Sequence, residues 1–551
     1  MNMIKIICKS ILISAAFALT ATATNNESKN FSFSKNLELF NSLFRELDIY
    51  YVDTINTEKL IQTATDEMLS TLDPYTTFIP KEESEDFMYM TTGEYGGIGA
   101  IIRALGNDTI VISEPYEGKP ADKAGLKAGD ILIEIDGEKC KGKSVSDVSE
   151  MLRGQPNEIV KIKFLRPGED KCTTKNITRE KIIVNPVDYY GVYDNIAYLH
   201  LTSFTDKASA ETKKALQKME TENKQLEGFI LDLRGNPGGL IDEAISICNL
   251  FLPKDKVIVS TKGKNTQWDQ TYKTTREPID EKIPMAILVD GSSASAAEIV
   301  SGAMQDMDRA VIIGEQTYGK GLVQTTRPIG YDSYLKVTTA KYYTPSGRCI
   351  QAREYDSEGN ARKIPDSLTS EFKTQHGRIV RDGGGIKPDI ELKDSAQFST
   401  LVYKLYTENY IFNYVTEYCQ KHKKPTSVDD ITFDDKDFDD FKAFLTSKNF
   451  SYQLKSEKVF NDLKEFLKFE GYDEILSDVV KKMDEGIKPN LEQDLEHFKE
   501  DIIQTIRTEI ALRYFYQWGS VKETLKYDDG IKKAIETLKD TDLYNKTLHL
   551  K

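Results

Sequence analysis

Ser295 lies in the run Val289-Asp-Gly-Ser-Ser-Ala-Ser-Ala-Ala-Glu-Ile299. An apolar strand ends at Asp290, a glycine turn follows, and a helix begins with an apolar stripe through Ile299, Val300, Ala303 and Met304. Two readings fit. Ser295-Ala-Ala-Glu298 matches the capping box S-x-x-E, in which the serine is an N-cap. A serine on a strand-to-helix turn is also presented as a nucleophile, with helix N–H groups and the helix dipole placed to stabilise an oxyanion. The two readings are compatible.

A serine nucleophile needs a base. No histidine lies near this element in the sequence. The next apolar strand, Ala310-Val-Ile-Ile313, leads into Gly314-Glu-Gln-Thr-Tyr-Gly-Lys-Gly-Leu-Val-Gln324. Lys320 stands there in a glycine-bracketed turn between two strand-like runs. A lysine base must be neutral, yet a reference pKa of ~10.4 leaves only ~1 in 2,500 uncharged at pH 7. Burial can lower that pKa by ~3 units, a shift worth ~4 kcal/mol, so such a base requires a built site. Gln324, four residues on, is placed to orient the amine with its amide oxygen. The plainer reading of Lys320 is a solvent-facing turn lysine. Gly314-x4-Gly319-Lys320 also matches the first seven positions of a P-loop. Residue 321 is glycine where the Mg²⁺-binding Ser or Thr belongs, and a strand follows where a P-loop needs a helix. Nucleotide binding is set aside on those grounds. An oxyanion needs backbone donors. Leu231-Asp-Leu-Arg-Gly-Asn-Pro-Gly-Gly239 ends a strand in a glycine-rich turn and opens a helix. Gly238 and Gly239 allow close backbone approach, so their N–H groups could face developing negative charge; the alternative is a strand-to-helix turn and nothing more.

These turns belong to a chain of 551 residues with 39% hydrophobic residues, 29% charged residues and a net charge of −15. That is globular composition, and the acidic balance argues against a nucleic-acid binder. Five histidines occur, none paired at helical ligand spacing, and the cysteines form no CxxC, so no metal site and no cofactor is expected. Cys140, Cys172, Cys248, Cys349 and Cys419 read as buried free thiols, with at most one disulfide. Residues 1–23 read as a secretory signal: Lys5 and Lys9, an apolar run from Ile11 to Leu19 broken only by Ser14, then Ala21-Thr22-Ala23. That run is too short to span a bilayer of ~30 Å, and no later segment is long and apolar enough, so the mature protein is expected to be exported, soluble and without a transmembrane segment.

Four regions follow. Residues 30–86 are helix-patterned, with Leu37, Phe40, Leu43, Phe44 and Leu47 at i, i+3, i+4 spacing, and reach a turn at Asp73-Pro-Tyr-Thr-Thr77. Residues 87–168 form a small β-rich module with two short helices, around 121–124 and 145–153, closed by a strand over Val160–Leu165. Residues 169–395 alternate strand and helix patterns, a mixed α/β domain. Residues 396–551 are helix-patterned, charged and aromatic. The acidic stretch 429–440 lacks the central glycine and ligand register of an EF-hand loop and reads as a solvated face.

Taken together, the motifs resemble those of the C-terminal-processing, or tail-specific, serine peptidase family. The resemblance covers residues 35–395 and rests on Ser293-Ala-Ser-Ala-Ala-Glu-Ile299, Gly314-Glu-Gln-Thr-Tyr-Gly-Lys-Gly321 with Gln324, and Leu231-Asp-Leu-Arg-Gly-Asn-Pro-Gly-Gly239. Lys341-Tyr-Tyr-Thr-Pro-Ser-Gly347, Gly384-Gly-Ile-Lys-Pro-Asp389 and Asp73-Pro-Tyr-Thr-Thr77 add to it. It implies a crotonase/ClpP-like α/β peptidase core interrupted by a PDZ domain, here with an N-terminal helical segment and a C-terminal helical domain. It further implies a catalytic dyad of Ser295 (not Ser292 or Ser293) and Lys320, supported by Gln324. Oxyanion donors would be the N–H groups of Ala296 and Gly238. The loop Tyr95-Gly-Gly-Ile-Gly-Ala100, through Gly96, Gly97, Ile98 and Gly99, would capture a peptide C-terminus by backbone N–H groups while the peptide adds a strand to the sheet edge; otherwise it is a bulged glycine turn. Ala297 and Gln316 depart from the serine and proline many relatives carry, at positions outside the chemistry. The tail beyond residue 396 has three open roles: capping the core, dimerising, or docking an adaptor.

The expected activity is therefore that of a periplasmic serine endopeptidase acting near protein C-termini, with protein or peptide tails as partners. The rival is a peptide- or ligand-binding protein on the same scaffold without turnover; a binder need not retain Ser295, Lys320 and Gln324 together.

Overall fold

The computed structural model describes residues 30–83, 89, 92–106, 108–352, 365–392, 399–487 and 489–550. The expected signal, residues 1–23, lies outside them. Two compact units are described in turn.

The first comprises residues 30–80 and 326–337. Its helices run over 30–50 and Thr57–Ser70, the second N-capped by Asn56, whose side chain accepts the Lys59 N–H. Asp73 builds the expected turn: one carboxylate oxygen accepts the N–H groups of Tyr75 and Thr76, and the other accepts the Thr76 hydroxyl. The strand Thr77–Ile79 then pairs antiparallel with Tyr334–Lys336. The apolar stripe through Leu37, Phe40 and Leu43 is exposed.

The second unit holds everything else. In the β-rich module, strands Ala100–Ala104, Ile110–Pro115, Ile131–Ile135, Ile159–Leu165 and Thr173–Thr178 form an antiparallel sheet with Ala100–Ala104 at its edge. The sheet does not close at Leu165 as the sequence predicts: Thr173–Thr178 adds a strand against Ile159–Leu165. Its run Thr-Thr-Lys-Asn-Ile-Thr buries only Ile177, so alternation alone is too weak to announce it. The helix Val145–Leu152 starts from a capping box of Ser144 and Asp147 and buries Val148 and Leu152.

The second sheet runs in the order Val187–Tyr193, Ile196–Leu201, Gly228–Asp232, Met285–Val289, Val311–Gly314, Ile390–Glu391, parallel from the second strand on. Every residue of Gly228–Asp232 and Met285–Val289 is buried, as expected when helices cover both faces. Phe229, Leu231, Met285, Ile287 and Ile312 face the core shared with helices Ala208–Glu222, Ile241–Phe251 and Ala296–Asp306. Ile230, Ala286, Leu288, Val311 and Ile313 face a second core. Its other side is Leu525, which ends the helix Lys499–Thr524, with Ile531, Ala534, Leu538, Tyr544 and Leu548 from the last two helices, Asp529–Lys539 and Thr541–Thr547, and the residue that caps the second. Of the three roles open to the tail, capping the core is the one seen here: its final turns are the outer layer of the sheet.

The rest of the C-terminal region is a helical domain with its own core, including Leu405, Val415, Phe438, Phe441, Ile502 and Ile506. The acidic stretch serves caps and ion pairs. Asp434 accepts the N–H groups of Lys436 and Asp437, and Asp429 pairs with Lys522 and Lys526. Among the described residues no cysteine forms a disulfide; Cys140 and Cys248 are buried as expected, but Cys349 and Cys419 are half-buried and Cys172 is exposed. Among the described residues, no helix is long and apolar enough to cross a membrane.

Candidate active site and peptide-capture loop

The strand Met285–Val289 ends in a turn organised by Asp290. Its carboxylate accepts the N–H groups of Ser292 and Ser293 at 2.9 and 3.0 Å, and that of Gly235 in the neighbouring turn at 3.0 Å. Ser293 is fully buried, its hydroxyl donating to the Leu233 carbonyl at 2.8 Å. Ser295 follows with φ 54° and ψ −112°, and the helix Ala296–Asp306 starts directly after it. A residue with a Cβ held there costs about 1–3 kcal/mol, and persists only where its surroundings over-determine it. A sharp strand-to-helix turn of this kind is the geometry that a nucleophile elbow uses.

The surroundings are Glu298 and Tyr342. The Glu298 carboxylate is completely buried and receives four donors. One oxygen takes the N–H of Ser295 at 2.9 Å and of Lys320 at 2.8 Å; the other takes the N–H of Gly319 at 2.7 Å and the Thr317 hydroxyl at 2.6 Å. Burial pushes the Glu298 pKa above the ordinary value, against the pull of these four bonds. On the carbonyl side, the Tyr342 hydroxyl shares its proton between Lys320 O at 2.6 Å and Ser295 O at 3.2 Å. Ser295 and Lys320, 25 residues apart, are therefore joined amide to amide and carbonyl to carbonyl through two buried side chains. The Gln324 amide donates to the Thr338 hydroxyl at 3.2 Å. In the sequence, Glu298 reads only as the capping partner of Ser295, and Tyr342 only as part of a motif. The capping box was the available signal for the first; nothing local pointed to the second.

The turn at Gly238 packs directly on Ser295. A Cβ on Gly238 would stand 2.8 Å from Ser295 Cβ and 2.9 Å from Ala296 N, so only glycine fits. The N–H of Gly238 itself, the expected oxyanion donor, is committed to Asn236 Oδ1 at 2.8 Å. Asn236 is fully buried, its amide donating to the Leu201 carbonyl at 2.7 Å. The N–H groups of Gly239 and Ala296 make no hydrogen bond among the described residues.

In the β-rich module, Glu94–Gly97 pairs with Glu180–Ile183. The carbonyls of Gly96, Ile98 and Gly99 accept the N–H groups of Gly154, Ala121 and Tyr116. The N–H groups of Ile98 and Gly99 make no hydrogen bond among the described residues. A Cβ on Gly96 would meet the Gly154 carbonyl at 2.1 Å. Beside the loop lies a cavity of about 120 Å³ lined by Tyr95, Ile98, Ile102, Tyr116, Leu152 and Arg153. Burial pushes the Tyr95 phenol up to about 12, and the Arg153 guanidinium lies 5.6 Å from the Tyr95 ring centre.

With the strand-to-helix elbow, the paired turn and the glycine loop in place, known proteins can be compared. Residues 195–358 match the model of peptidase family S41, residues 111–166 that of a PDZ domain, and residues 401–538 that of the "Probable PDZ-protease, C-terminal helical domain". A carboxy-terminal-processing protease of Bartonella bacilliformis is 37% identical over 345 residues, 62% of this chain and 78% of the relative. A probable CtpA-like serine protease of Staphylococcus aureus is 34% identical over 355 residues, 64% of this chain and 70% of the relative. Among solved structures, the photosystem II D1 C-terminal processing protease is 27% identical, with 67% of this chain and 96% of that one covered and a TM-score of 0.36. The class is a protease with a PDZ domain and a C-terminal helical domain. The chain belongs to peptidase family S41, among the carboxy-terminal-processing proteases.

Proposed function

We propose that this chain is an exported, periplasmic serine endopeptidase that cleaves proteins near their C-termini with Ser295 as nucleophile and Lys320 as base. The observation that carries the reading is the double junction of Ser295 and Lys320 through Glu298 and Tyr342, with Ser295 in the strained elbow conformation. Holding two reacting groups in one geometry is what a preorganised site requires. Neutral Lys320 takes the proton from Ser295 Oγ as the oxygen bonds to the scissile carbonyl carbon. The carbonyl oxygen becomes an oxyanion in front of the N–H groups of Ala296 and Gly239, which make no hydrogen bond among the described residues. Gly238 contributes the close approach that its missing side chain allows, and its own N–H only if Asn236 lets go. Collapse of the tetrahedral species breaks the C–N bond, with Lys320 returning the proton to the leaving amine; water then removes the acyl group by the same route. Gln324, held by Thr338, orients the amine.

The substrate tail binds at Gly96–Gly99. Its carboxylate meets the open N–H groups of Ile98 and Gly99, its last side chain enters the neighbouring cavity, and its backbone adds to the edge strand Ala100–Ala104. Export rests on the pattern of residues 1–23.

The test is cleavage of an unfolded protein substrate, followed by mass spectrometry, with wild type, Ser295→Ala and Lys320→Ala. Wild type cuts and both variants are silent while folded. Cleavage by Ser295→Ala at the wild-type rate would remove Ser295 as nucleophile. An inert wild type that still binds free-carboxylate peptides but not their amides would make the chain a tail-binding protein.

A further inference from the structure

Arg234 opens the turn that ends at Gly238 and Gly239. Its guanidinium lies in a fork of two carboxylates. Asp232, almost fully buried on the preceding strand, takes Nε at 3.0 Å and Nη2 at 2.5 Å. Asp528, from the far end of the chain, takes Nη1 at 3.1 Å and Nη2 at 2.8 Å. Asp528 stands at the start of the helix Asp529–Lys539, which it also caps through the Ile531 N–H at 2.9 Å. The packing is close: a Cβ on Gly530 would stand 3.1 Å from Arg234 Nη1. Around the fork, Tyr198 donates to Asp232, and His200 lies between the Asp188 carboxylate at 2.8 Å and the Arg234 carbonyl at 3.4 Å.

We infer that Asp528 is a positioning residue for catalysis: it fixes the guanidinium plane of Arg234, and through the Arg234 main chain the turn that brings Gly238 and Gly239 against Ser295. The inference rests on the peptidase reading above. One carboxylate holds an arginine at one edge; two on adjacent edges remove its remaining rotation, which is the use of arginine's planar fork. Burial works against charge here, but the carboxylates outweigh it: Arg234 is held well above its usual pKa, and Asp232 below its own. The turn has other anchors, Asp290 on the Gly235 N–H and Asn236 on the Leu201 carbonyl, so loss of Asp528 shifts the turn and does not unfold it. The catalytic corner is then assembled from both ends of the matched sequence, with the outer helical layer supplying a support the peptidase segment lacks.

The test uses the full chain. Asp528→Ser keeps a good N-cap for Asp529–Lys539 while removing the carboxylate from Arg234. A displacement of ~1 Å in a reacting group costs up to ~100-fold in rate, so kcat falls roughly 10- to 100-fold with KM unchanged. Affinity for a peptide aldehyde, which adds to the serine as a tetrahedral adduct, falls by the same factor, while binding of a free-carboxylate tail peptide stays at the wild-type value. Asp529→Asn, a charge change one residue away at an exposed side chain, leaves kcat as it is. In the double variant Arg234→Lys/Asp528→Ser the loss does not exceed the larger single loss, as for two groups acting as one. Wild-type kcat and aldehyde affinity in Asp528→Ser, or a kcat loss that only follows the unfolded fraction, overturns the inference and leaves the peptidase reading standing. An inert wild type overturns both.

Discussion

The corner around Ser295 and the loop at Gly96–Gly99 both present N–H groups to a negatively charged oxygen in the proposed reaction, but they are built differently. At the corner, two buried side chains, Glu298 (itself held by the Thr317 hydroxyl) and Tyr342, hold the main chain of Ser295, Gly319 and Lys320. At the loop, carbonyls of Gly96, Ile98 and Gly99 are held by backbone N–H groups of the same module, and the N–H groups of Ile98 and Gly99 make no hydrogen bond among the described residues. A site that stabilises a transient charge must be fixed in advance by buried, costly-to-break bonds. A site that captures a stable carboxylate needs accessible donors and a groove, which local backbone geometry supplies.

The comparison breaks most visibly at Ser295. Ser295→Ala lowers kcat by roughly ten-thousand-fold or more with tail-peptide affinity unchanged, measured on a fluorogenic peptide and by titration. If tail binding fell as well, the two sites would not be separable.

The pH dependence of stability comes next. Burial opposes charge on His200, but the hydrogen bond to Asp188 and the charges of Asp232 and Asp188 raise its pKa to about 9. The folded protein therefore holds this proton more tightly than the unfolded chain. Its stabilisation is complete below about pH 6.5 and is lost as pH rises through about 9, up to about 3 kcal/mol. Urea melts between pH 6 and 10 show the decline, and His200→Gln flattens it.

Glu298→Gln sharpens the comparison. It keeps the shape but points an amide NH₂ at N–H groups that need an acceptor, so kcat falls roughly 100-fold with some loss of stability. Tail binding does not change. Gly96→Ala does the reverse: its Cβ collides with the Gly154 carbonyl, so tail-peptide affinity falls roughly tenfold while kcat on a short blocked peptide is kept. Tyr342→Phe is the mildest. It removes one hydroxyl shared by two carbonyls, about 1 kcal/mol, and lowers kcat about fivefold. A larger fall for Tyr342→Phe than for Glu298→Gln would shift the weight of the junction from amides to carbonyls.

How much was legible follows the same division. The Asp73 turn, the short helix around 145–153 and the start of a helix after Ser295 were readable, because their signals lie within a few residues of one another. The parallel strands Gly228–Asp232 and Met285–Val289 were readable as continuous apolar runs. Thr173–Thr178 was not, since its only buried residue gives no period. Nor was the exposure of Cys172, which depends on what surrounds it. The glycine turn offers both Gly238 and Gly239 as oxyanion donors, and the family resemblance singles out Gly238; that its N–H is taken by Asn236, two residues away, depends on a rotamer that the Leu201 carbonyl fixes from another strand.

By itself the sequence determined the family, the kinds of elements and the residue types able to do the chemistry, because caps, turns and hydrophobic periods act over a few residues. Only the tertiary structure decided that Glu298 and Tyr342 join the serine to the lysine, that Asp528 reaches Arg234, and that the last helices cover the sheet. Those contacts link residues tens to hundreds of positions apart, and they exist because buried donors, acceptors and apolar faces must find partners wherever the closed fold places them.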